Sequence, residues 1–440
     1  MKKLSKMLAT LLIVVFTFTA FVGCAKSDKP AADKPAKKET ITVWLPPIGP
    51  DDKPVWEPIF KKFEEQNNVD INLEIIPWEK YPEKYATAIT AGTGPDVGYM
   101  YAEMYPQFIS MGAVEDLTKY FNDESFKKYT YLDASKMMGG MYGLPMEAAN
   151  PAVLYFNEDI VKATGETAIL AKLKKHEPIS WDEFLTVSKK ATKDTNGDGK
   201  TDQYGLAQGW GAKFFGNLNW NWYNYLWQAG GDIYNEDLKS VKFDNSEGVK
   251  AATFLHDMKY KHKIIPEDAM AKDNEDMLKT VFGPGKAAFA IGLSSKASEL
   301  FDKEFKNLKY DFAVSLKDKK AATFASVDQL TLMASAKNKD LSFKLMEHMM
   351  NAESMTAFHK YNPRAPMTAD EPYQGDPRFK EMVQKDKGIY RPLMVGPNGV
   401  EIYEFLWKEL QKMMNGEKSP EAALKDAAKY SNDLILKNSK

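Results

Sequence analysis

Residues 41–45, Ile41-Thr42-Val43-Trp44-Leu45, form a β-branched and aromatic run closed by Pro46-Pro47, which predicts a buried strand. Over residues 54–66 the apolar positions Val55, Ile59 and Phe63 recur at helical spacing, and residues 71–76 return to strand character. A second helix is predicted over about 81–90. Strand, helix, strand in that order opens an α/β lobe. Asn67-Asn68, Gly165 and Gly230-Gly231 supply turn chemistry between elements. Farther on, Ser180 and Glu183 have the spacing of a capping box, and Ser419-Pro420-Glu421 starts the last helix with a cap, a proline and an acid in its first turn.

The densest aromatic stretch is 208–234. Between Trp210 and Trp227 stand four of the chain's nine tryptophans, interleaved with Asn217, Asn219, Asn221 and Asn224. A core segment wants aromatic bulk without amides, because each buried amide must find partners or cost about 1–3 kcal/mol. From Trp220 the spacing is helical, with Trp220, Tyr223 and Trp227 on one face and Trp222, Tyr225 and Leu226 to the other side. The bland reading is a heavily buried aromatic helix. The amides tip the group toward a surface offered to a hydroxyl-rich ligand.

Ahead of the first strand, Lys2, Lys3 and Lys6 precede a run over 7–22 that is apolar apart from three threonines, the pattern of a signal peptide. The chain's one cysteine, Cys24, follows it at once, so no intramolecular disulfide and no downstream catalytic thiol can exist. Residues 25–40 are almost all Lys, Ala, Pro, Asp and Ser without apolar periodicity and read as a flexible tether.

At 440 residues the chain exceeds one ordinary core, so two lobes are expected, and 44% hydrophobic with 27% charged residues fits a globular protein. Removing residues 1–23 takes three of the 59 basic residues and none of the 61 acidic ones. The remaining body is acidic, which argues against a nucleic-acid partner. Arginine, the preferred bidentate reader of carboxylate and phosphate, occurs only at Arg364, Arg378 and Arg391, which disfavours a polyanionic ligand.

Residues 194–202 match the first nine positions of an EF-hand loop. Asp194, Asn196 and Asp198 alternate as oxygen donors, Gly199 permits the turn, and the Lys200 carbonyl and Asp202 complete one side. Position 12 is Gly205, where the bidentate glutamate should stand. A structural Ca²⁺ nest is expected, against a metal-free Asx turn as the plainer alternative.

Two resemblances add to these readings. Phe21-Val22-Gly23-Cys24 resembles the bacterial lipoprotein box, which implies an acylated Cys24 anchoring the body to a membrane outside the cytoplasm. Ala91-Gly92-Thr93-Gly94-Pro95-Asp96-Val97, then Met111-Gly112-Ala113-Val114-Glu115-Asp116-Leu117, resembles the carbohydrate-type extracellular solute-binding proteins of ATP-driven importers. Tyr142-Gly143-Leu144-Pro145, Pro178-Ile179-Ser180-Trp181, Ala229-Gly230-Gly231 and Gly285-Lys286-Ala287-Ala288-Phe289 follow in that family's order.

The resemblance implies an α/β, two-lobed periplasmic-binding-protein-like fold with hinge crossovers and a ligand cleft between lobes. Its parts would be a signal peptide over 1–23, the lipidated cysteine and tether over 24–40, a first lobe of 41–148 plus 327–363, and a second of 149–326 plus 364–440. Crossovers are placed near 147–152, 323–328 and 362–366. Ligand contacts are implied at Asp51, Tyr101, Glu103, Glu147, Asn150, Trp210, Trp220, Trp222, Tyr223, Ser294 and Arg364. Many relatives carry a tryptophan where this chain has Ile291-Gly292-Leu293-Ser294-Ser295, so their ligand's pose does not transfer. The implied partners are a carbohydrate, by weak preference an oligosaccharide, and the permease subunits of an ABC transporter, with the chain itself a monomer.

Two other classes are open to the sequence. A surface glycoside hydrolase would need a working carboxylate pair, but the chain lacks a Gly-x-Ser-x-Gly elbow, a His-Glu-x-x-His motif and a P-loop. A carbohydrate-display module would leave its aromatics on an open platform.

Overall fold

The structure is a computed structural model that describes residues 38–438 apart from 49–50, 103, 149–150, 326, 381–388, 392, 394–395 and 397. The signal peptide, Cys24 and most of the tether lie outside the described residues.

The first strand, β1 (Glu39–Leu45), buries Ile41, Val43, Trp44 and Leu45. The helix Lys53–Asn67 follows, burying Trp56, Ile59, Phe60 and Phe63, and leads to β2 (Val69–Ile75), which pairs in parallel with all seven residues of β1. Asn68 ends that helix in the left-handed conformation, as the Asn-Asn pair predicts. The helix Tyr81–Ala91 then ends at Gly92, φ 66°, before β3 (Val97–Met100) enters the sheet beside β1. Gly98 of β3 is required by packing, because a Cβ there would overlap the Tyr85 hydroxyl.

After β4 (Leu144–Ala148) the chain begins a second sheet with β5 (Ala152–Asn157), followed by β6 (Tyr204–Ala207), β7 (Ala287–Leu293) and β8 (Tyr310–Ala313). It then returns to the first sheet as β9 (Val327–Leu332). The first sheet has the order β2-β1-β3-β9-β4 and the second β8-β5-β7-β6. β9 is antiparallel to both its neighbours, and β7 is antiparallel to β5 but parallel to β6. The chain thus passes between sheets at 148–152 and 324–327, where the sequence places crossovers. Residues from Glu39 onward make up one compact unit.

Local sequence chemistry accounts for the helix ends. The Ser180 hydroxyl accepts from Glu183 N at 3.1 Å and the Glu183 carboxylate from Ser180 N at 2.8 Å, completing the box that starts the helix Trp181–Ala191. The last helix, Pro420–Asn438, begins with Ala422 N donating to Ser419 Oγ at 3.2 Å.

The two passages between the sheets meet in one polar cluster. Glu147 at the end of β4 lies directly opposite Asp328 at the start of β9, two acids paired across an antiparallel ladder. Tyr99 of β3 donates its hydroxyl to Asp328 Oδ2 at 2.7 Å, with Glu147 Oε2 at 3.3 Å. Arg364, which follows the helix Ala352–Tyr361 and is nearly buried, donates Nε to Glu147 Oε1 at 2.9 Å. Burial, followed by the charges of Asp328 and Glu147, pushes the Tyr99 phenol well above its ordinary range, so it stays a donor.

Replacing Arg364 by Met should leave the Glu147 carboxylate beside Asp328 without its cation. Equilibrium denaturation should show a loss of about 2–4 kcal/mol, near the cost of breaking a largely buried pair, and an Arg364→Met, Glu147→Gln double variant should recover part of it. A single variant as stable as the parent would remove the cluster from its structural role.

Candidate functional site

The cluster at the crossovers adjoins an aromatic group drawn from both halves of the molecule. Trp78 stands just after β2, half-buried, its indole N–H donating to Pro47 O at 3.1 Å. That bond fixes the plane of the ring. Its ring centroid is 5.8 Å from Tyr99 and 5.9 Å from Tyr101.

From the other half, Phe214 and Phe215 follow β6 and meet these rings. Phe214 lies 6.4 Å from Trp78 with planes 28° apart and 6.2 Å from Tyr101, while Phe215 is 6.3 Å from Tyr101. Gly216 makes room for Phe214, because a Cβ there would strike the phenyl ring. Asp51 is exposed, and its backbone N–H donates to the Tyr361 hydroxyl at 2.5 Å.

Of the ligand contacts expected from sequence, the structure brings Tyr101, Glu147 and Arg364 into one neighbourhood through Trp78 and Tyr99, whereas Asp51 contacts Tyr361. Glu103 and Asn150 lie outside the described residues, as does the side chain of Ser294. Glu147 and Arg364 face each other, so part of the hydrogen-bonding capacity of each is spent on the other.

The tryptophan-rich stretch departs from expectation. Its helix is two short pieces, Leu218–Asn221 and Tyr223–Gln228, broken at Trp222, where φ is −133° and ψ −58°. Every residue of the second piece is buried, so neither face stands open to solvent in this structure. Trp210, Trp222 and Tyr223 expose none of their surface. Trp210 stacks on Trp407 at 5.5 Å and Tyr223 on Trp227 at 5.6 Å. These three rings form the packing behind the site in this structure.

The asparagines explain how such a segment can be core. Asn221 donates to Gly209 O and accepts from Asn274 Nδ2, both at 2.6 Å, while Asn274 Oδ1 accepts from Gly209 N at 2.9 Å. Asn224 accepts from Phe324 N at 2.6 Å and donates to Asn219 O at 3.1 Å. Asn221 and Asn224 tie loops to the helix pieces and so find the partners a buried amide requires, while the buried Asn219 Oδ1 has none among the described residues. Trp220 is elsewhere. It is half-buried in an open pocket of about 220 Å³ with Glu275, Leu278, Lys279, Leu300 and Lys303, which none of the other expected contacts among the described residues lines.

Trp78, Phe214 and Phe215 were not singled out from sequence. Trp78 is one aromatic in a segment that reads as strand end and helix start. Phe214 and Phe215 precede the helical spacing that drew attention to Trp220.

The Asp-rich loop is a set of nested turns. Asp194 accepts from Asn196 N, Gly197 N and Gly199 N at 3.1, 2.7 and 2.7 Å, Asn196 Oδ1 from Asp198 N at 2.9 Å, and Asp198 Oδ1 from Lys200 N at 2.8 Å. The Gly199 and Gly197 amides hold the Asp194 carboxyl below its usual range. Asp202 turns both oxygens to Thr195, each at 2.8 Å. The donor chemistry suits a hard cation, but among the described residues no three acidic, histidine or cysteine side chains converge on a point that could hold one.

Among the described residues no helix is long and apolar enough to cross a membrane. The comparisons with known proteins agree with the fold. A binding protein of Brucella abortus is 26% identical over 397 residues, 87% of this chain and 90% of that one. The galactooligosaccharide-binding protein of Bacillus subtilis is 22% identical over 447 residues, 98% of each chain. An ABC transporter solute-binding protein from Thermotoga lettingae, crystallised with α-D-tagatose, superposes with a TM-score of 0.74 at 22% identity, covering 90% of this chain and all of that one. The family model for bacterial extracellular solute-binding proteins matches residues 47–356, well over half of the chain, and the chain belongs to that family.

Proposed function

We propose that this solute-binding protein captures a carbohydrate between its two sheets and delivers it to the permease of an ABC importer. One observation carries the reading: half-buried and buried rings from both halves stand beside a tyrosine, two carboxylates and an arginine at the crossovers. A pyranose offers an apolar C–H face to rings and hydroxyls to paired donors and acceptors. The names of the Bacillus and Thermotoga relatives, one a galactooligosaccharide-binding protein and one bound to tagatose, support a sugar over other solutes. The proposed lobes are 41–148 with 327–363 and 149–326 with 364–440, hinged at the crossovers, and the liganded closed form of a monomer is what the permease reads. No reaction is assigned to the site.

Titrating the mature body with galacto- and malto-oligosaccharides, followed by intrinsic tryptophan fluorescence, should give a saturable change with at least one class at micromolar concentrations. A folded protein that responds to none of them and binds none by calorimetry would remove the carbohydrate reading.

Anchoring at Cys24 belongs to the same proposal and rests on the lone cysteine directly after an apolar run. Cys24→Ser should move the protein from the membrane fraction of expressing cells to the soluble extracytoplasmic fraction. An unchanged distribution would refute the lipid.

Calcium at 194–202 is proposed on the alternating oxygen donors of that loop, and binding would require Asp202 to turn from Thr195. Millimolar Ca²⁺ should then raise Tm by roughly 2–5 °C, reversibly with chelator. Equal Tm values with and without chelator would leave a metal-free turn.

A further inference from the structure

We infer that the wholly buried pair His359–Glu371 locks the near end of a strap, residues 372–377, and that this strap is the third passage between the halves. The inference rests on the two-lobed reading and moves its last boundary. Residues 364–371 travel with the first half, and the crossover expected at 362–366 lies farther along the chain.

The stretch before the strap is bound to the first half. Thr130 N donates to Met367 O and Ala369 N to Lys128 O, both at 2.9 Å, on either side of the bridge that pairs Tyr129 with Thr368. His359, in the helix Ala352–Tyr361, meets a Glu371 oxygen through Nδ1, and neither side chain exposes any surface. The other Glu371 oxygen accepts from Met367 N at 2.8 Å. Both carboxylate oxygens thus close the turn 367–371 onto the helix, and a buried carboxylate is costly to leave without such partners.

Past Pro377 the attachments change sides. Phe379 stacks on Phe312 of β8 at 4.1 Å with planes 10° apart. Arg378 donates Nη1 to Asp311 Oδ1 at 3.3 Å and lies 5.2 Å from the Phe312 ring. Asp376 fixes Arg378 in turn, accepting from its Nε at 2.8 Å and its backbone N at 2.9 Å. The second clamp therefore holds the outer strand of the second sheet.

Between the clamps the chain keeps to itself. Gln374 Nε2 donates to Pro372 O at 3.2 Å, and among the described residues the strap's hydrogen bonds stay within it or reach only 378–379. Pro372 and Pro377 are exposed and restrict φ at the two ends. Rotation of one half against the other then falls on residues 373–376, where Gly375 is the most permissive. Six residues span at most about 20 Å, so the strap also limits how far the halves part.

Hydrogen exchange on the full mature body tests the lock without any ligand. Glu371→Gln should speed exchange in peptides covering 128–130 and 367–369 by about tenfold or more and leave 310–313 within about threefold of the parent, and Phe379→Leu should do the reverse. Unchanged exchange at 367–369 in Glu371→Gln, or an equal response there to Phe379→Leu, would overturn the lock. Spin labels on Glu124→Cys with Asp370→Cys, and on Glu124→Cys with Lys380→Cys, test the passage in Cys24→Ser protein whether or not those variants fold. With galactotriose or maltotriose bound, the first distance should stay within about 1 Å while the second shifts by several ångströms. Adding Glu371→Gln should broaden the first distance distribution, which a merely lowered global stability would not do. Two distances that move together, or two that stay fixed with sugar bound, would overturn the strap. If neither trisaccharide binds, the carbohydrate reading falls, and the exchange pattern alone upholds or overturns the lock.

Discussion

The fold turns on two acids set opposite each other. Glu147 and Asp328 occupy facing positions on antiparallel strands at the point where the chain leaves the first sheet and where it comes back. Like charges so placed repel, and the ladder closes there only because Tyr99 and Arg364 supply donors. Arg364, from more than two hundred residues along the chain, supplies the cation that faces Glu147. The aromatic group of Trp78, Tyr101, Phe214 and Phe215 adjoins this cluster through the contact of Trp78 with Tyr99.

The division between wall and packing follows from geometry. Trp210, Trp222 and Tyr223 are the larger and more conspicuous aromatics, yet they serve as backing. Trp210 and Tyr223 stack on Trp407 and Trp227, and Asn221, Asn224 and Asn274 secure the loops around the three. A rigid backing matters to a receptor, since stacking rings that shifted with the core would lose the spacing on which recognition depends.

Much of this was legible in the chain. Strand β1, the helices Lys53–Asn67 and Tyr81–Ala91, the Ser180–Glu183 box and the start of the last helix follow from local spacing and capping, and the structure has them within a residue or two. The crossovers were placed by family order, and the sheets change where that order says. The site was less legible. Arg364, Glu147 and Tyr101 emerged from position in the pattern, but Trp78 and Phe214 meet only through tertiary folding, being separated by more than a hundred residues. The asparagines misled for a physical reason: an amide that binds a backbone carbonyl and one that binds a sugar look the same in a sequence.

The insertion of β9 between β3 and β4 has a kinetic side. Until Val327–Leu332 is present, β3 lacks one neighbour and β4 has none in its sheet, so both expose unsatisfied backbone edges and the first sheet cannot be completed by local contacts. Chain synthesis therefore runs far ahead of sheet completion. For a protein whose family works outside the cytoplasm, this delays commitment to a fold that export would have to undo.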